Sequence, residues 1–423
     1  MRKGYLLIFL ILFLFILGFG RRTAKSPVPI RVAYWGSIEE IKIIERTLRE
    51  WERNHPNIRV ILQHTPTSGY KQKLLTRIAG GDAPDIIFSE VNDFVYFKSK
   101  GIFLDLMPFV EKDPEINLQD YFPQIIKRFM ENGRLYLLPR DIAPFACVYY
   151  NRDLFEKEGV PLPTDDWDWE GLLQRAIQLT KREDKRVVRY GFYTIFWENF
   201  VYSAGGSLVD DPFHPHRLTL NSPNSLKGLK FYIDLIQKYQ VMPSPQTMVG
   251  LQMNALQMFA SGRLAMYASG IWETPFFRKI KSFSWDVVMF PKGPGGKRGF
   301  GSGGSGYGIL KFTKYPKEAW EVLKCLAGRR GQEILAESGL AQPAFKDIAL
   351  GPLFAGSPLP PKNKKMLNEA VKYIVFEPAH PRWKEARERY LEPKLELVFS
   401  GKISLEKALK EVTPLINSLL ERR

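Results

Sequence analysis

The chain has 423 residues, 45% of them apolar and 25% charged, a globular balance that allows two separate cores and leaves no room for extensive disorder. Its formal net charge of +16 raises the question of anionic partners. The basic residues, however, are scattered among acidic ones, with no basic tail, no Cys/His finger spacing and no RNA-recognition aromatic motif, which argues against nucleic acid.

In chain order, Arg2 and Lys3 precede the apolar block "GYLLIFLILFLFILGFG". A basic start followed by an apolar core is the layout of a secretory signal, so residues 1–20 are expected to be a signal peptide or an uncleaved N-terminal membrane anchor. No cysteine lies near this boundary to carry a lipid. After the linker "TAKSPVP" the spacing predicts a strand over 30–34, a helix and a second strand. Ser37 and Glu40 form a capping-box pattern, and Ile41, Ile44, Leu48 and Trp51 recur at helical spacing as a buried stripe. "YKQKLLTRIAGGDAPDIIFS" repeats the plan, with a helix stopped by Gly80-Gly81 and a strand over 85–88. Such alternation implies a mostly parallel sheet covered on both faces. Further strands are expected at 135–138 and 145–150, and helices near 170–181, 225–239 and 247–261. From 362 onward the pattern is nearly all helical. Cys147 and Cys325, the two cysteines, sit in apolar runs and read as buried thiols.

The stretch "GSGGSGYG" at 301–308 matches G-x-G-x-x-G at Gly301, Gly303 and Gly306. A dinucleotide loop must open directly into a helix whose free N–H groups meet pyrophosphate. Here the glycines lead into "YGILKF", a strand, and the next helix begins only at Pro316. "GGKRG" lacks the hydroxyl that a Walker loop places after its lysine. No cofactor is expected.

Candidate binding residues gather where predicted strands end. Trp35 and Ser37 follow the first strand; Ser89, Glu90, Asn92 and Asp93 follow "PDIIF"; Asp141 follows "LYLLPR". Gly270 and Trp272 follow the strand in "YASGIW", and Ser302 and Gly303 lie in the glycine run. Trp197 and Trp383 stand in "IFWENF" and "HPRWKEARERY". Ligands of open α/β sheets bind at carboxyl ends of strands. Aromatic faces that stack on sugar rings, with carboxylates and amides for hydroxyls, suit a carbohydrate. "TDDWDWEG" tempts as an acid/base set but directly precedes a helix, where acids cap and complement the dipole. "DDPFHPH", with His214 and His216 beside Asp210 and Asp211, reads as a surface loop rather than a metal site. The serines of "GGSL" and "GSGG" lack a nucleophile elbow.

Taken together, "WERNHPNIRV", "AGGDAPDII", "YNRDLF" and "FASGRLAMYASGIW" make the chain resemble the extracellular solute-binding proteins of family 1, receptors of bacterial ABC-type sugar importers that include maltose-binding proteins. The resemblance implies a type II periplasmic-binding fold: two α/β lobes, a hinge and an interlobe ligand cleft. It implies one lobe from 30–142 plus 290–333 and another from 146–288 plus 338–423, with crossings near 140–145 and 288–291. The glycine run becomes a cleft-facing turn just after a hinge. Trp272 and Trp383 match stacking tryptophans of the family, Asn92 and Asp93 its polar cleft residues, and Trp35 to Ser37 its first-strand loop. Trp197 is a looser match. Ser89 stands where a stacking tryptophan can occur and Pro144 where a cleft acid can, which argues against maltodextrin. The implied protein is a monomeric, non-catalytic receptor outside the cytoplasm. It would deliver a sugar to a membrane permease, or a sugar phosphate if the net charge governs the ligand. An extracellular carbohydrate-active enzyme is the third reading.

Overall fold

The computed structural model describes residues 26–184 and 186–421. The apolar block at 1–20 lies outside the described residues, and among those described no helix is long and apolar enough to cross a membrane.

The first sheet is built from βα repeats. Strands β1 (Val28–Tyr34), β2 (Ile58–His64) and β3 (Ile86–Glu90) are joined through helices α1 (Ile38–Glu52) and α2 (Thr67–Ala79). β1 pairs in parallel with both β2 and β3. Its Ile30 and Val32 are fully buried, as a central strand covered on two faces requires. α1 turns Ile43, Ile44, Thr47 and Leu48 inward, and burying one such leucine contributes about 1.5–3 kcal/mol. Ile41 and Trp51 are only partly buried, and Trp51 stacks on His55 at 3.9 Å. Ser37 caps α1 by accepting the Glu40 amide at 3.3 Å. The reciprocal half of the expected capping box is missing, because the Glu40 carboxylate turns inward to Arg140, 2.8 Å away.

The second sheet comprises β5 (Cys147–Asn151), β6 (Lys181–Glu183), β7 (Arg186–Tyr193), β8 (Leu264–Ser269) and β9 (Trp285–Met289), ordered β9-β5-β8-β7-β6. β5 is antiparallel to both neighbours. Strands β4 (Leu138–Pro144), β10 (Phe300–Ile309), β11 (Gln342–Pro343) and β12 (Ile374–Val375) belong to the first sheet, while Met130–Glu131 and Arg134–Leu135 form a small hairpin of their own, so the strand expected over 135–138 is divided between that hairpin and β4. The order of the first sheet is β11-β4-β10-β3-β1-β2, with β12 also on β10.

Three passages connect the lobes. The first runs from β4 into β5 through Phe145. The second falls near 300, later than the expected 288–291, because residues after β9 stay bound to the second lobe. There the Lys292 amide donates to the Trp167 carbonyl at 3.0 Å. A Cβ on Gly293 would lie 2.1 Å from the Ser203 carbonyl oxygen, so this loop lies directly on its neighbour. The third passage also comes later than a boundary at 338, since Gln342 and Pro343 still pair with β4. Beyond it Asn363 reaches the second lobe through Asp286 at 3.1 Å.

The glycine run is a strand, not a turn: β10 pairs antiparallel with β3 and β4 through its length. Its glycines serve tight packing. At Gly306 a Cβ would meet the Leu138 carbonyl oxygen at 2.6 Å, and Gly304 has φ +143, a conformation L side chains rarely adopt. The helix expected over 247–261 is two helices, Pro245–Leu251 and Ala255–Ala260, divided where Gln252 turns left-handed and Asn254 forms a capping box. After 362 the chain is not helical throughout, because β12 and an extended stretch interrupt it.

Candidate functional site

A cleft with an inner chamber of about 280 Å³ separates the lobes. Glu90 and Asn92 reach it from the junction of β3 and helix α3 (Val91–Ser99); Phe145, Gly301 and Ser302 come from the crossing segments. Phe196, Glu198 and Asn199 enter from the start of α4 (Glu198–Ser203), and Lys384, Arg387 and Glu388 from the run that begins with α5 (Trp383–Ala386). This run makes a π-helical turn at Arg387–Leu391 before continuing as α6 (Glu392–Phe399). Such turns re-aim side chains and recur at functional sites. A wider groove of about 1080 Å³ shares Glu90, Lys384 and Glu388 with the chamber and extends past Asp93, Lys71 and Tyr96.

Aromatic rings form one wall. Phe145 and Phe196 stack with centroids 4.3 Å apart and planes 11° apart. The Trp272 indole meets Phe145 edge-on at 5.6 Å and 88°, an arrangement favoured by the ring quadrupoles. Gly270 seats that indole, for a Cβ there would lie 1.8 Å from the Trp272 ring. Gly301 and Gly303 likewise lie under the Phe145 ring, with Cβ clearances of 2.9 and 3.3 Å. Asn199 holds the two crossing segments in register, donating to the Phe145 carbonyl at 2.8 Å and accepting the Gly301 amide at 2.9 Å.

Charged groups form the other wall. Arg387 pairs with Glu198 at 2.6 Å, with Glu392 at 2.5 Å and with Glu377. Burial pushes the Glu198 carboxyl up to about 6, opposed by the Arg387 charge. Burial, reinforced by the neighbouring Asp93 charge, pushes Glu90 up to about 7. Asp93 is bridged by Lys71 at 3.3 Å and by Lys384 at 3.2 Å, the latter reaching from α5 across the cleft. At the opposite rim Arg278 of the second lobe donates to the Ser338 carbonyl at 2.6 Å, a second tie between lobes.

Of the residues singled out in the sequence, Glu90, Asn92 and Ser302 line the chamber. Asp93 lines the outer groove. Gly270, Trp272 and Gly303 touch or support its aromatic wall. The others stand elsewhere. Ser37 is an exposed helix cap. Ser89 is buried and donates to the Glu90 carbonyl at 3.2 Å. Asp141 lies beneath the first sheet's edge with Arg140 at 3.3 Å and Ser305 as partners. Trp35 is partly exposed but rests on Phe88 at 5.3 Å. Trp197 and Trp383 are buried and contribute no face to the chamber; Trp383 is 2% exposed. Phe145, Phe196, Glu198 and Arg387 went unnoticed in the sequence. A signal existed for the last, since Arg387 follows Trp383 by one helical turn.

Elsewhere the tempting clusters have structural roles. Asp168 caps the helix Trp169–Leu179 by accepting the Gly171 amide at 2.8 Å. Asp165 accepts the Met289 amide at 2.9 Å. Asp211 accepts the amides of Phe213 and His214 within its own loop. Among the described residues no group of three His, Cys, Asp or Glu side chains could hold a metal, and both cysteines are free and buried.

Comparison with known proteins bears on the family and the fold. Residues 35–333 match the family model for bacterial extracellular solute-binding proteins. A probable ABC transporter-binding protein of Deinococcus radiodurans is 26% identical over 275 residues, 60% of this chain and 63% of that protein. Among solved structures, an ABC substrate-binding protein of Listeria monocytogenes in complex with cycloalternan superposes with TM-score 0.84 at 26% identity, over 94% of this chain and 100% of that one. A maltose-bound protein of T. maritima shares the fold at TM-score 0.78 and 21% identity, covering 93% and 100%. The fold is that of the periplasmic binding proteins, and the chain belongs to the bacterial extracellular solute-binding proteins, a family of substrate-binding proteins for ABC transporters rather than of enzymes.

Proposed function

We propose that this protein captures an oligosaccharide between its lobes and hands it, chemically unaltered, to the membrane permease of an ABC importer. It works as a monomer in the periplasm or outside the cell, and the apolar segment at 1–20 directs it there. The observation that carries the reading is the pairing of the aromatic rings of Phe145 and Phe196, backed edge-on by Trp272, with the carboxylate and amide groups of Glu90, Asn92 and Glu198 around one chamber. Apolar ring faces and hydroxyls of a sugar need both kinds of surface. The adjoining outer groove gives room for further rings. The cycloalternan held by the Listeria protein supports an oligosaccharide as the ligand class. In this reading the first lobe comprises the segments of the β1 sheet and the second those of the β5 sheet. Ligand contacts fall to Glu90, Asn92, Ser302 and Trp272.

Thermal melts against a panel of neutral and charged oligosaccharides test it. A cognate sugar at ~100 times its dissociation constant adds ~2.7 kcal/mol of stability. Trp272→Ala weakens its binding by at least ~1 kcal/mol in calorimetry. Recovery of the sugar intact after prolonged incubation is expected. Cleavage products would make the protein an enzyme, and no shift with any saccharide would remove the carbohydrate.

A further inference from the structure

Resting on that reading, the chamber's charge narrows the class of sugar. The chain as a whole carries +16, yet the chamber reverses the sign: Glu90, Glu198, Glu377, Glu388 and Glu392 face it against Lys384 and Arg387 alone. Both cations are already engaged. Arg387 is shared among Glu198, Glu377 and Glu392, and Lys384 sits 3.2 Å from Asp93 and 3.9 Å from Glu388. What remains is an excess of carboxylate acceptors over the donors of the Tyr202 hydroxyl and the Asn92 amide. Glu198 is 6% exposed, and its Oε2 is buried with no hydrogen-bond partner; the Oδ1 of Asn92, on the opposite lobe, is in the same condition.

A buried carboxylate oxygen left without a donor is costly, and more so where neighbouring charges share its sign. A sugar hydroxyl satisfies the acceptor but leaves the excess negative charge in a poorly hydrated space. A protonated amine satisfies the acceptor with a charge-assisted hydrogen bond and also cancels charge. A phosphate or uronate adds to the repulsion, so the basic composition of the whole chain misdirects the choice of ligand.

We propose that the chamber selects saccharides bearing a protonated amine, seated between Glu198 of the second lobe and Asn92 of the first, and rejects phosphorylated and uronic sugars. Calorimetry near pH 7, above the value of about 6 at which Glu198 ionises, compares a glucosamine disaccharide, its N-acetylated counterpart, cellobiose and a galacturonic acid disaccharide. The free amine is expected to bind at least ~10-fold more tightly than the N-acetyl form, with the uronate weakest. Glu198→Gln brings the amine and N-acetyl forms to within ~3-fold of each other, and Glu388→Gln, at an exposed position that threatens folding less, narrows the gap in the same direction. Equal binding of amine and N-acetyl sugars, or tighter binding of the uronate, overturns the amine preference while leaving a sugar receptor. Absence of binding by every saccharide overturns the receptor reading itself.

Discussion

Two arginines, a buried one in the first lobe and a partly exposed one in the second, are surrounded by carboxylates and yet differ in what they leave undone. Arg140, at the end of the first lobe's sheet, is 3% exposed and pairs with Glu40 at 2.8 Å and Asp141 at 3.3 Å. Its guanidinium lies over the Phe88 ring at 5.0 Å, and the Ser305 hydroxyl donates to Asp141. Every group of that cluster is packed against protein. Arg387 holds three carboxylates, but its cluster opens on the chamber and keeps an unpartnered oxygen on Glu198. The chemistry is nearly the same in both places. The difference is access: Glu40 Oε1 and Arg140 Nη2, an ion pair at 2.8 Å, also lack a well-aligned hydrogen bond, but they are sealed in the protein, whereas the Arg387 cluster faces a cavity that a ligand can enter.

Removing each arginine separates the two roles. Arg140→Ala strands two buried carboxylates with no route to water, and the cost is expected to be about 3–5 kcal/mol. Urea unfolding checks it; a loss under about 1 kcal/mol would mean that the cluster is already hydrated. Arg387→Ala is expected to cost less, about 1–3 kcal/mol, because Arg387 and its partner Glu392 are themselves partly exposed. Its larger effect falls on ligand affinity, since Glu198 loses the anchor that fixes its position. If Arg387→Ala matched Arg140→Ala in stability and bound ligand normally, the contrast between the clusters would be void.

The sequence carried the alternation of β1, α1, β2, α2 and β3 openly, because helical and strand periodicities are local properties of Ile44, Leu48 or Ile86–Ile87. It carried the glycine run poorly. Gly301 to Gly308 looks like a turn until Leu137, Leu138 and Phe145 are known to press against it, and those contacts are set by tertiary packing. The same blindness misled the choice among aromatics. Trp383 stands amid charged residues in the sequence, yet Lys384, Arg387 and Glu388 occupy the cleft face of its run while the indole goes inward. Trp197 drew notice and turned into the core; its neighbour Phe196 forms the wall. Phenylalanine is the default core residue, so nothing marked Phe145 or Phe196 before the crossing segments were placed.

The smallest effect bears on protons rather than side chains. Glu90 titrates at about 7 in the folded protein against 4.5 for its ordinary value, raised first by burial and then by the Asp93 charge. The folded chain therefore binds more protons than the unfolded one between those two values, so this group makes stability fall as pH rises from about 4.5 to about 7. Glu198, at about 6, acts in the same sense over a narrower window. Glu90→Gln removes the first contribution: its stability should change less steeply with pH across that window and exceed that of the parent above it. Arg140 makes the control. Burial also raises Glu40 and Asp141 beside Arg140, but only the chamber's carboxylates are reached by a ligand. Adding a tight-binding sugar should therefore alter the pH slope of the parent more than that of Glu90→Gln, where Glu198 alone of the two still titrates, as read from melts across pH with and without ligand. An equal change in both proteins would remove Glu90 from the ligand-linked titration.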